Sequence, residues 1–132
     1  MATIFTKIIN GEIPAWKVAE NDQFLAFLDI FPVAKGHTLV IPKKEVDYLF
    51  DLDEETYLGL NLFARKVAEG LKRAIPCKKV GTMVLGLEVP HAHIHLVPMQ
   101  SEADLLNFSH KLKLTREEFI ELRDKIAAEI SA

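Results

Sequence analysis

Three histidines at alternate positions, His91-Ala92-His93-Ile94-His95, form the stretch of this chain with the most chemistry per residue. Side chains on a β-strand alternate between faces, so these imidazoles project together, about 6.6–6.8 Å apart along the strand axis. Ala92 and Ile94 then point the other way and supply an apolar backing. Three of the five histidines in the chain are here, and a fourth, His37, lies upstream. A lone histidine is usually structural, but three on one face imply a shared role. Two chemistries suit them. Neutral imidazole ligates zinc, and such a site would recruit further donors such as Glu88 or His37. Imidazole is also a competent nucleophile near neutral pH, and flanking imidazoles can stabilise phosphoryl oxygens or serve a leaving group.

The rest of the chain must position these groups. Its 132 residues are expected to form a single domain, 1–132, with a core over 1–100 and a C-terminal helical extension over 101–132. Nearly half of the residues, 49%, are hydrophobic, enough for a core without disulfides. The net charge of −3 and the lack of a long basic run argue against nucleic-acid binding. Cys77 is the only cysteine, which fits a reducing compartment rather than a disulfide framework. No apolar stretch approaches about 18 residues and no signal-like segment opens the chain, so the expectation is a cytoplasmic protein without a membrane partner.

Punctuation residues outline the elements. Thr3–Ile9 reads as a short helix closed by Asn10-Gly11. Strands are expected at 16–19, 24–30 and 37–41, forming an antiparallel meander, with further strands at 80–85 and 91–97. Asp53 suits a helix N-cap, followed by Glu54 and Glu55 at the positive end of the dipole. Tyr57, Leu60, Ala64, Val67 and Leu71 recur at helical spacing up to the stop at Pro76. Thr115-Arg116-Glu117-Glu118 is a capping box opening a second amphipathic helix with Phe119, Leu122, Ile126 and Ile130 on one stripe. Strands and helices are segregated, which predicts an α+β fold with an antiparallel sheet.

The segment His91-Ala92-His93-Ile94-His95-Leu96-Val97 resembles the signature of the histidine triad (HIT) superfamily. The opening Ile4–Pro14 and the segments Ala26–Pro32 and Gly36–Lys43 are similar, in order and spacing, to its nucleotide-binding Hint branch. The resemblance spans roughly residues 4–45 and 80–98. It implies a five-stranded antiparallel sheet with a long central helix and a C-terminal helix, paired as a homodimer. It also implies a nucleotide hydrolase or nucleotidyltransferase acting at the α-phosphate of nucleoside phosphoramidates or related purine nucleotide conjugates, with no cofactor. His93 would be the nucleophile that carries a covalent nucleotidyl group. His91 and His95 would contact the phosphate and leaving group, supported by His37. Asp29 would bind the ribose hydroxyls, while Phe5, Ile8, Phe27 and Ile30 would line the base slot. A non-catalytic nucleotide-binding module and a dinucleoside polyphosphate hydrolase are the alternatives.

Several positions depart from the family pattern. Leu87 stands where many members carry a glutamine that holds the phosphate or leaving group. Glu88, a binding candidate, replaces a small hydroxyl residue. Val80 replaces a polar residue commonly found near the phosphate. The resemblance also implies a structural zinc in some bacterial members, held by two cysteines, a downstream histidine and a triad histidine. Here the first three positions are Thr3, Thr6 and Glu45. Hydroxyls and a carboxylate replace the thiolates and imidazole that zinc prefers, so no metal is expected.

Overall fold

The computed structural model describes residues 2–131. Thr3 caps the first helix by accepting from the Thr6 N–H at 3.1 Å, and α1 spans Ile4–Ile9. It ends at Asn10-Gly11, where Gly11 adopts φ of +78°, a conformation that favours glycine. Three strands follow, β1 (Lys17–Glu20), β2 (Phe24–Leu28) and β3 (Thr38–Pro42), before a short 3-10 turn at Leu49–Asp51. Asp53 caps α2 (Glu54–Ala74) by accepting from the Thr56 N–H at 3.1 Å. Strands β4 (Lys79–Met83) and β5 (Ile94–Met99) lead to a four-residue helix, α3 (Ala103–Leu106), and then to α4 (Arg116–Ser131). The capping box is reciprocal: the Thr115 N–H donates to Glu118 at 3.0 Å, and the Glu118 N–H donates to the Thr115 hydroxyl at 3.1 Å.

The strands form one antiparallel sheet in the order β1-β2-β3-β5-β4, an α+β architecture with the expected meander at one side. All ten residues of β2 and β3 are buried. That is the pattern of strands covered on both faces. One face, through Ala26, Val40, Ile94 and Leu96, packs under α2 and α4. The other, through Leu25, Phe27, Leu39 and Ile41, packs under α1 by way of Phe5 and Ile8.

Three expected strands differ in extent. The strand expected at 91–97 pairs with its neighbours only from Ile94 onward, since β3 and β4 make their last contacts at Ile94 and His95. His91 and His93 therefore precede the paired strand, with His91 in a bend. The strand expected at 80–85 ends at Met83, before Gly86 turns with φ of +81°. The strand expected to run to Ile30 stops at Leu28, because Asp29 folds its carboxylate onto the Phe31 N–H at 2.8 Å and opens a turn.

The C-terminal helix seats its apolar stripe against α2 and β1, on the sheet face away from the histidines. Gly70 permits this contact. A Cβ there would lie 2.5 Å from Ile130 Cγ1 and 3.0 Å from the Ile130 Cα. Gly70→Ala is therefore expected to destabilise the fold by about 1–3 kcal/mol through overpacking, outweighing a helix-propensity gain of about 1 kcal/mol. Urea denaturation checks it. A more stable variant would mean that α4 is not seated on Gly70.

Candidate active site

The faces of the sheet sort the triad. Ala92 and Ile94 enter the core beneath α2, and the three imidazoles turn toward α1. Phe5 packs edge-on to His91 and His93, with ring centres 5.7 and 5.0 Å away. The fourth histidine, His37, sits just ahead of β3, where register places Leu39 opposite His95. Its ring centre is 5.2 Å from that of His95. All four are buried, His37 and His91 completely.

Backbone groups determine where each imidazole carries its proton. The Val33 N–H donates to His37 Nδ1 at 3.1 Å, so that nitrogen is an acceptor and Nε2 bears the hydrogen. His37 Nε2 then donates to His95 Nδ1 at 2.9 Å, which leaves the hydrogen of His95 on Nε2. His93 Nδ1 lies 2.7 Å from the His91 carbonyl, which can only accept. Nδ1 of neutral His93 therefore holds the hydrogen and Nε2 holds a lone pair. Every buried side-chain polar atom among the described residues has a partner. The unpaired Nε2 atoms of His93 and His95 must therefore reach solvent. The site offers one lone pair beside one N–H donor.

His91 differs from expectation. Its Nε2 donates to the Pro42 carbonyl at 2.8 Å, and its Nδ1 accepts from the Thr3 hydroxyl at 3.0 Å. With both nitrogens engaged and no exposure, it has nothing to offer a phosphate. It positions His93 through its carbonyl instead. Thr3, Thr6 and Glu45, the positions that the resemblance relates to zinc ligands, gather beside it. Glu45 accepts from the Thr3 N–H at 3.0 Å and from the Thr6 hydroxyl, tying α1 to the segment after β3. A hydrogen-bonded clasp occupies these positions.

Asp29 Oδ2 lies 3.6 Å from His37 Nε2, which brings the carboxylate into the same cluster. Burial pushes its carboxyl above the usual range, opposed by the Phe31 N–H and the charge of Lys111. Phe5, Ile8 and Phe27 share one apolar cluster, with Phe5 and Phe27 rings edge-on at 5.5 Å. Ile30 is more than half exposed and belongs to neither apolar cluster. Glu88 is exposed and near enough to oppose ionisation of Asp29. Leu87 is 96% exposed and packs against nothing. Val80 corrects an expectation: it is in register with Pro98 and packs toward the α2 core, on the face opposite the histidines.

Two residues of the site lie in the stretch between β5 and α4, which carries no family motif. The Phe108 ring stands edge-on to His95 and His37, at 5.0 and 5.9 Å. Lys111 Nζ lies 3.7 Å from the centre of the Phe108 ring. The Leu112 N–H donates to the Pro32 carbonyl at 2.7 Å and fastens this segment to the β2–β3 turn.

Asp29, His37 and His95 bring one potential ligand atom each within 4.8 Å of one another. Their protonation does not suit a metal. His37 Nε2 must keep its hydrogen while Nδ1 accepts from Val33, and His95 Nδ1 is already an acceptor. Ligation would leave a donor facing a donor at Val33 or create an imidazolate. His37 and His95 form a proton-ordered pair, with the Asp29 carboxylate 3.6 Å from His37 Nε2.

The family model described as HIT domain matches residues 10–102. An uncharacterized HIT-like protein of Borreliella burgdorferi is 37% identical over 96% of this chain and 97% of its own. The adenosine 5′-monophosphoramidase of Schizosaccharomyces pombe is 35% identical over 77% of each chain. A Hit-like protein of Bartonella henselae, described as involved in cell-cycle regulation and crystallised with an unknown ligand, superposes with a TM-score of 0.84. It is 34% identical, covering 96% of this chain and 95% of its own.

Burial makes the cluster sensitive to acid. Burial, the neighbouring His95 and Lys111 lower His37 from 6.5 to about 3. Burial, His93 and Lys111 lower His95 from 6.5 to about 4. Between those values and 6.5 the unfolded chain binds more protons than the folded one, so stability rises with pH. It is fully present above about pH 6.5 and declines as pH falls toward 4. Melting temperatures between pH 7.5 and 5 are expected to drop, and His37→Gln is expected to flatten that slope. An unchanged slope in the variant would place the acid sensitivity elsewhere.

Proposed function

This chain belongs to the HIT domain family, and from that premise we propose that it hydrolyses nucleoside phosphoramidates or related nucleotide conjugates at the α-phosphate through His93. One observation carries the reading: His93 Nδ1 is held on the His91 carbonyl, with its Nε2 lone pair unpaired beside the His95 Nε2 donor. The lone pair attacks phosphorus, a P–Nε2 bond forms and the P–N bond of the substrate breaks. The leaving nitrogen departs as an amine once protonated by the substrate's own hydrogen or by water. Water then attacks phosphorus, the P–Nε2 bond breaks and the lone pair returns to His93. The products are the nucleoside monophosphate and the amine.

His95 acts in this scheme as a donor to a non-bridging oxygen. Releasing its Nε2 hydrogen altogether would leave an imidazolate, because Nδ1 carries none. Asp29 accepts from the ribose hydroxyls, and the apolar cluster around Phe5, Ile8 and Phe27 receives the base. Exposed Ile30 and Glu88 would act at its edge.

Pairing of two copies belongs to the same reading. Strand β4 is an open sheet edge, and Leu58 and Leu62 are exposed one turn apart on α2, alongside exposed Tyr48 and Phe50. Exposed leucines one helical turn apart favour a second copy over solvent. No helix among the described residues is long and apolar enough to cross a membrane.

Hydrolysis of adenosine 5′-phosphoramidate tests the proposal. Turnover is expected to persist in EDTA and to fall at least about 1,000-fold in His93→Ala. AMP binding without turnover of any conjugate would favour a regulatory nucleotide-binding module. Turnover abolished by EDTA would contradict the histidine mechanism.

A further inference from the structure

Four aromatic rings cross the site in a row. Phe5 lies 5.0 Å from His93, His93 lies 5.0 Å from His95, and His95 lies 5.0 Å from Phe108. One end of the row opens on the apolar cluster beneath α1. The other end is cationic, because the Lys111 ammonium sits over the Phe108 ring. Substrate bound along this row with its base at the apolar end and its α-phosphate on the imidazoles would place the leaving group near Phe108.

Lys111 has the attributes of a recognition group. Its side chain is exposed, and no carboxylate lies within ion-pair distance of it among the described residues. The cation–π contact and the Leu112–Pro32 hydrogen bond hold it over the site. Its charge is felt by Asp29, His37 and His95. Phe108 touches both His95 and Lys111, which puts the ammonium at the Phe108 end of the row, where the leaving group lies. Leu87, where the family resemblance implies a glutamine, is 96% exposed and offers no side-chain hydrogen bond.

We propose that Lys111, positioned by Phe108, selects substrates whose leaving group is anionic, through a carboxylate or a further phosphate adjacent to the scissile bond. The selection depends on substrate lying along the histidine row as set out under the proposed function. Phe108 is a positioning residue, and Lys111 touches the substrate.

Binding separates the two ideas. In the His93→Ala background, where conjugates stay intact, calorimetry would compare the glycine and glycinamide phosphoramidates of adenosine 5′-monophosphate, with ADP and AMP as a second pair. The protein with Lys111 is expected to prefer the glycine conjugate, which carries the carboxylate, about fivefold, a preference that shrinks in high salt. Lys111→Met is expected to abolish that preference, leaving the glycinamide conjugate bound as before, and Lys111→Arg to retain it. Phe108→Leu is expected to weaken the preference without removing the charge. Loss of the ADP preference alone would identify the recognised anion as a phosphate. Equal binding of the paired ligands, or equal weakening of both by Lys111→Met, would overturn the proposal and leave the hydrolase reading intact. Failure of every nucleotide to bind would overturn both.

Discussion

The Val33 backbone N–H is the fixed point on which the chemistry of this protein depends. It donates to His37 Nδ1, and everything downstream follows from that direction. His37 must donate to His95, and His95 must present its hydrogen outward. Two carbonyls do the same for the remaining rings, Pro42 for His91 and the His91 carbonyl for His93. Main-chain groups cannot change their donor or acceptor character, and burial makes a mismatched pair cost about 1–3 kcal/mol. The imidazoles are thereby held in one proton arrangement, which is what a nucleophile beside a hydrogen-bond donor requires.

The sheet divides stability from chemistry. Its α2 face carries the larger apolar cluster, sealed by α4 through the close approach at Gly70. The α1 face carries the smaller cluster and all four buried histidines. Alternation along β5 makes one stretch serve both, since Ile94 and Leu96 anchor the strand while His95 faces the site. Rigid backing on one side lets the other keep open nitrogens without losing their positions. The Thr3–Thr6–Glu45 clasp holds α1, and with it Phe5, against His91 and His93.

Much of this was legible because the signals are local. The Asp53 cap, the Thr115–Glu118 box, the turn at Asn10-Gly11 and the alternation of the triad each span only a few residues. The bonding of His91 was not legible. That His91 has no free nitrogen depends on Thr3 and Pro42, 88 and 49 residues away. The face on which Val80 lies depends on its register with Pro98, which a short strand pattern does not reveal. Phe108 and Lys111 escaped notice for a similar reason. They lie in an irregular segment without periodicity or motif, and only its tether to Pro32 brings them to His95. A cation three residues after an aromatic, ahead of the capping box of the C-terminal helical extension, was the one available hint.

The most direct test of the account is intact-mass and peptide mass spectrometry of the protein quenched under alkaline denaturing conditions within milliseconds of mixing with adenosine 5′-phosphoramidate. The account predicts a transient adenylyl adduct confined to the peptide that contains His93, absent in His93→Ala and present in His91→Asn if that variant folds. Turnover with no adduct, or an adduct on another residue, would contradict it.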